Sequence, residues 1–167
     1  MVNKSERYIP LIVTVGQVAV FPYYIIWLKE VSLTYTLFAW LFAVFSFAAA
    51  WGYCVFQSEK IRKPSIAFCY IAMGIVYLVV GNINISVDFL PYIAILLQVC
   101  LGFLQGYFRA WHIKQRAYRL HAVQHYLLVG LTMIVLSFIM IISPVVVILT
   151  FGVVLFVCGG SKLLHRG

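Results

Sequence analysis

Apolar residues fall in six runs along the chain, separated by short polar or charged stretches, at about 8–28, 33–56, 65–81, 90–108, 123–142 and 144–160. A membrane-crossing helix needs about 20 predominantly apolar residues, so each run predicts a transmembrane helix. A β-barrel strand would alternate apolar and polar positions, and such continuous runs exclude it. Pro10, Pro64, Pro91 and Pro144 fall where these helices start, at positions whose backbone N–H would be unpaired in any case. Pro22 lies inside the first run and predicts a bend or break near Val18–Pro22. There Thr14, Gln17 or a neighbouring helix would satisfy the freed carbonyl. The expected architecture is an all-α membrane protein, a single integral membrane domain over residues 1–167 with six transmembrane helices arranged as three in–out–in hairpins.

Composition agrees with the pattern. Apolar residues make up 65% of the 167 and charged residues 10%, against about 25% charged in soluble domains. Mean hydropathy is +1.05. No single soluble core hides that much apolar surface. The net charge of +8 would suggest nucleic acid in a soluble protein, but here the position of the charges decides. Taken alternately, the segments between runs put Lys4, Arg7, Lys60, Arg62, Lys63, Arg109, Lys114, Arg116, Arg119, Lys162 and Arg166 on one side and only Lys29 on the other. Lys and Arg are retained on the cytoplasmic face, so both termini are expected to be cytoplasmic in a bacterial inner membrane. The natural partner of the basic side is the anionic headgroup layer, and nucleic acid is not expected. The first run is too long for a signal-peptide core and is expected to stay as a helix.

Small residues recur four apart, at Ala48 and Gly52 in the second run and at Gly102 and Gly106 in the fourth. Such spacing lets helix backbones approach closely, either inside one bundle or across a homo-oligomer seam. With Gly152, Gly159 and Gly160 in the last run, every second helix of the hairpins carries small residues, which suggests an internal repeat. Tyr23, Tyr24, Trp27, Tyr35, Trp51, Tyr53, Tyr92, Tyr107, Trp111 and Tyr126 lie near run ends and predict an interfacial aromatic belt. Cys54, Cys69, Cys100 and Cys158 form no C-x-x-C pair and read as small apolar fillers, with neither a disulfide framework nor a metal site expected.

The stretches Ala72–Gly81, Gly106-Tyr107-Phe108-Arg109-Ala110-Trp111 leading into a basic loop, Leu128-Val129-Gly130-Leu131 and the Ser143-Pro144 turn resemble the HdeD family of small six-span bacterial membrane proteins. The chain departs from that pattern in its higher aromatic content and in having Asn82–Leu90 where a proline-bearing outer turn would stand. The resemblance implies an inner-membrane protein linked to acid-stress tolerance, and it brings no catalytic residues or cofactor.

Candidate chemistry is sparse. No charged residue falls near the middle of a run, whereas proton-coupled carriers usually need one. The polar residues within runs are Gln17, Gln98, Gln105, Thr132, Ser137 and Thr150, expected to bond between helices, with Gln17 and Gln98 as candidate polar lining of a cavity. His121 and His125 are four apart and His112 precedes them. They are a candidate pH-responsive cluster, since His titrates near neutrality and the basic residues around it oppose its protonation. A metal site there lacks further ligands. No hydrolase, metalloprotease or phosphate-loop motif occurs, so an enzyme is not expected. Three roles remain: a non-enzymatic membrane protein in acid or envelope stress tolerance, a half-size transport module resembling the major facilitator superfamily and working as a dimer, or a membrane subunit or immunity partner of another protein. The transport reading leans on Ser58-Glu59-Lys60-Ile61-Arg62-Lys63-Pro64, which resembles that superfamily's acidic-basic loop but lacks the glycine before the basic pair.

Overall fold

A computed structural model describes residues 4–31, 34–58, 65–83, 89–114, 127–132, 134–135 and 143–164. The helices are α1 (Lys4–Val31), α2 (Tyr35–Gln57), α3 (Ile66–Asn82), α4 (Leu90–Lys114) and α5 (Pro144–Leu164). Residues 127–132 and 134–135 are also helical, and no strand occurs among the described residues. Among the described residues four helices are long and apolar enough to cross a membrane: α1 over Tyr8–Glu30, α2, α4 and α5. The 17 residues of α3 reach about 25 Å at 1.5 Å per residue, somewhat less than the roughly 30 Å hydrocarbon core.

Local chemistry sets several helix ends. Thr34 holds an extended conformation before α2 and its hydroxyl accepts from the Leu37 N–H at 3.2 Å, which removes one of the unpaired donors of the first turn. Ser143 plays the same part before α5 through Val146 N–H at 3.4 Å, and Pro144 takes the first helical position, where its missing N–H costs nothing. The second-run expectation of a start near 33 and the fifth run at 123–142 fall partly outside the described residues, as does Pro64.

Two proline expectations are corrected. Pro10 lies inside α1 instead of starting it, and α1 continues without interruption through Pro22. The bond lost at Pro10 is the one that an N–H there would have given to the Glu6 carbonyl, in the first turns of α1. Thr14 and Gln17 do not serve the Val18 carbonyl freed by Pro22, because Thr14 donates to the Leu11 carbonyl at 3.0 Å and Gln17 turns to Met73 Sδ at 3.6 Å. The turns on either side of Pro22 keep α1 helical, as happens in membrane helices generally.

Close packing joins helices that are not neighbours in the chain. Among the described helices the tightest pairs are α2 with α4 and α3 with α5, so neither α1 with α2 nor α3 with α4 is the closest-packed unit, and the third expected hairpin falls partly outside the described residues. Between α2 and α4, a Cβ at Gly52 would strike the Phe103 carbonyl, one at Gly102 the Phe45 carbonyl and one at Gly106 the Ala49 carbonyl. Backbone therefore meets backbone, which is how helices gain dispersion contact where lipid offers no hydrophobic drive for association. Between α3 and α5, a Cβ at Gly74 would lie 2.9 Å from the Gly152 carbonyl oxygen, and one at Gly159 would lie 2.6 Å from Ile71 Cγ1. Gly160, by contrast, faces open space.

These contacts also fix direction. Phe45 with Gly102, Ala49 with Gly106 and Phe56 with Tyr107 show α2 and α4 parallel. Tyr70 with Phe108, and Ile71 with Gly159 and Gly74 with Gly152, show α3 antiparallel to both α4 and α5. Gln17 with Met73 and Tyr24 with Tyr77 show α1 parallel to α3. The start of α1, the end of α2, the start of α3 and the ends of α4 and α5 thus share one end of the bundle. That end carries Arg109, Lys114 and Lys162, while Lys29 and Glu30 lie at the other.

A Gly106→Ala substitution pushes a methyl group into the Ala49 backbone, and overpacking of this kind costs about 1–3 kcal/mol. Thermal unfolding of the purified protein should register that loss, whereas Gly160→Ala should be neutral or gain up to about 1 kcal/mol of helix propensity.

Candidate functional site

Most of the polar groups buried in the described helices collect where α1, α3 and α4 meet. Gln98 and Gln105 are seven residues apart on α4, two turns, and so lie on one stripe of the helix. That stripe runs between the face carrying Gly102 and Gly106, which meets α2, and the face carrying Leu104 and Phe108, which meets α3 through Cys69 and Tyr70. α1 packs chiefly on α5, where a Cβ at Gly16 would strike the Phe151 ring, and more lightly on α4; it touches α2 through Phe21 and Phe42 at 6.4 Å between ring centroids, and α3 through Tyr24 and Tyr77 at 6.1 Å.

Within this seam Gln105 Nε2 donates to the Tyr77 hydroxyl at 3.2 Å. The Tyr77 ring stands edge-on to Phe151 of α5 at 5.0 Å, and Tyr24 stacks on Trp27 at 5.7 Å. Edge-to-face and offset pairs of this kind add about 0.5–1.5 kcal/mol each beyond the area they bury. Two polar atoms of the seam have no hydrogen-bond partner, Gln98 Oε1 and Tyr24 OH, although Gln98 is only 1% exposed and Tyr24 5%. The polar side chains of the seam among the described residues are amides and phenols, and none of them is charged.

A second cluster sits at the basic end. Lys162 Nζ lies 4.7 Å from the Trp111 ring centroid and 6.0 Å from that of Tyr70, within the range where an aromatic face attracts a cation. Phe108 stacks on Trp111 at 6.1 Å and on His112 at 5.7 Å. The Tyr70 hydroxyl is buried with no partner. This is the arrangement of a bundle end at the headgroup border, with ammonium and indole groups held over an apolar floor.

The structure brings Ala48, Gly52, Gly102 and Gly106 together: they are buried in the α2–α4 contact of one chain. Gln17 bonds to Met73 of α3, and Gln98 is buried on the stripe of α4 that carries Gln105. His112 is half-buried against Phe108, while His121 and His125 lie outside the described residues. Among the described residues no three His, Cys, Asp or Glu side chains stand close enough to hold a metal. The cysteines divide: Cys69 and Cys158 are buried, whereas Cys54 and Cys100 are exposed and fill no core space. Thr150 bonds within its own helix, to the Val146 carbonyl at 2.7 Å, and not between helices.

The aromatic belt is corrected in part. Tyr35, Trp51 and Tyr92 are exposed, but Tyr24, Trp27 and Tyr107 are core residues. Tyr24 and Trp27 are three apart, so they share one helix face, and that face is the one α1 turns inward. Tyr24, Tyr77 and Gln105 were not expected at a site; the only sequence signal was the seven-residue spacing of Gln98 and Gln105. The chain matches no family model, no curated protein and no solved structure. The HdeD resemblance therefore rests on the glycine and proline positions quoted above.

Replacing Gln105 by Leu strips the buried Tyr77 hydroxyl of its partner, at a cost of about 1–3 kcal/mol. Adding Tyr77→Phe should recover part of that loss, and a double-mutant cycle in thermal unfolding will measure the coupling.

Proposed function

We propose that the chain crosses a bacterial cytoplasmic membrane six times, as three in–out–in passages with both of its ends inside. There it acts without catalysing a reaction, in acid or envelope stress tolerance. The observation that carries the topology is the shared direction of α4 and α5. α4 finishes at the basic end and α5 begins at the opposite one, which supports reading the apolar run at 123–142 as a further crossing. The concentration of Lys and Arg at one end orients the bundle with that end in the cytoplasm.

The character of the interior supports a role without catalysis. Glu6, Glu30, Glu59 and Asp88 all lie at the ends of the apolar runs or between them, and the seam between α1, α3 and α4 offers only neutral groups. The stress role rests on the HdeD resemblance and on His112 at the basic end, which His121 and His125 follow closely in the sequence, a set of imidazoles whose charge would respond to cytoplasmic acidification. Arg109, Lys114 and Lys162 fit an anionic headgroup layer, each contributing about 1 kcal/mol near the surface. One observation favours the transport reading: Gln17 bonds to Met73 and Gln105 to Tyr77 at the boundary of the two tightly joined helix pairs, and Gln98 is buried on the same stripe of α4 as Gln105. A transporter built this way would give solute flux when reconstituted.

Single cysteines placed at Lys60 and Lys114 should both be labelled by a membrane-impermeant maleimide only from the cytoplasmic side; labelling from opposite sides would end the six-span reading. Deletion of the gene should lower survival at low pH, and His121→Gln with His125→Gln should reproduce that loss. Unchanged survival of the deletion strain would remove the stress role while leaving the topology standing.

A further inference from the structure

The basic end of the bundle gathers cations around one indole. Lys162 of α5 holds its ammonium 4.7 Å from the centre of the Trp111 ring and 6.0 Å from that of Tyr70. Phe108 fixes both rings, lying 6.1 Å from Trp111 and 5.6 Å from Tyr70. Lys114 is exposed and follows Trp111 by three residues on α4, a spacing that makes two side chains neighbours on one helix face, about 5–6 Å apart at Cβ. Lys162 and Lys114 therefore flank Trp111 from two helices. Arg109 does not join them: it precedes Trp111 by two residues, which turns it to the opposite side of α4. None of α3, α4 and α5 carries an Asp or Glu, so the helices that build this cluster supply no carboxylate to it. Toward the other end of the bundle the Trp111 stripe of α4 continues past Tyr107, tucked against Phe56, to Phe103, Cys100 and Leu96. Cys100 and Leu96 are exposed, so an apolar track runs below the two cations.

We propose that this cluster binds one anionic phospholipid at a defined place, with its phosphate between the Lys162 and Lys114 ammonium groups beside the Trp111 indole and an acyl chain along the exposed stripe of α4. Ammonium groups bind phosphate as point charges, and basic pockets between helix ends select anionic headgroups. The site rests on reading the basic end as the headgroup border, where Trp side chains anchor. It goes beyond the diffuse attraction of that end to an anionic layer, because a diffuse attraction draws on Arg109 as much as on Lys114.

The test takes the full chain in nanodiscs of equimolar phosphatidylglycerol and phosphatidylcholine with the same acyl chains, and counts by native mass spectrometry the lipid retained on the released protein. Phosphatidylglycerol should be retained in excess. Lys114→Gln should cut that excess about fivefold, and Lys162→Gln added to it should cut it further. Lys162→Arg, which keeps the charge beside Trp111, should preserve the excess, and so should Arg109→Gln. Losing Lys162 also removes its ring contacts and can weaken the fold, so the exposed Lys114 decides the matter if the double variant does not fold. Equal retention of the two lipids overturns the proposal, and so does a loss in Arg109→Gln as large as that in Lys114→Gln. Retention of neither lipid would overturn the site together with the headgroup-border reading. The direction of the bundle across the membrane is separate, since maleimide labelling reports it and the site needs only the border.

Discussion

The contact of backbone with backbone across glycine is the interaction on which this molecule depends. In water a helix pair is driven together by the surface it hides, but lipid tails are as apolar as leucine and supply no such drive. What remains is dispersion at short range, which falls away over a fraction of an ångström, together with the need of each buried polar group for a partner. Gly52, Gly102 and Gly106 supply the first between α2 and α4, and Gly74, Gly152 and Gly159 supply it between α3 and α5. With any larger residue at the tightest of these points the helices would stand apart and much of their attraction would be lost.

This arrangement divides the described bundle into two firmly joined pairs and a looser boundary. Along that boundary α3 meets α4 through Cys69 with the Leu104 carbonyl, Tyr77 with Gln105 and Tyr70 with Phe108. α1 lies across it and inserts Trp27, Tyr24 and Gln17. Aromatic edges and side-chain amides thus do at the boundary what glycine does within the pairs. Their contacts are longer and made through side chains, so this is where the helices have most freedom to adjust.

How much of this was legible in the sequence differs by kind of information. The helices themselves were, because an apolar run of bilayer length has few other readings, and α2, α3, α4 and α5 each follow such a run. Partners were not: the small faces of α2 and α4 are visible as Ala48/Gly52 and Gly102/Gly106, but a small face carries no mark of which helix it will meet. Tyr24 and Trp27 were read as belt residues because they lie near the end of a run, and rotation about the helix axis, which spacing alone leaves open for a helix apolar on all sides, turned them inward. Pro10 misled for a related reason, since a proline removes only one bond of the ladder and a helix can begin a turn or more before it.

The shortness of α3 has a consequence for the surrounding lipid. α3 is the most enclosed of the five helices yet reaches only about 25 Å, and it still shows Phe68, Ile75 and Val79 at its outer surface. A bilayer crossed by α3 would have to thin by several ångströms along that strip, or its headgroups dip to the helix ends, at a cost of fractions of a kcal/mol per ångström of mismatch. Shorter acyl chains relieve that strain, so the fold carries a built-in preference among membranes of different thickness.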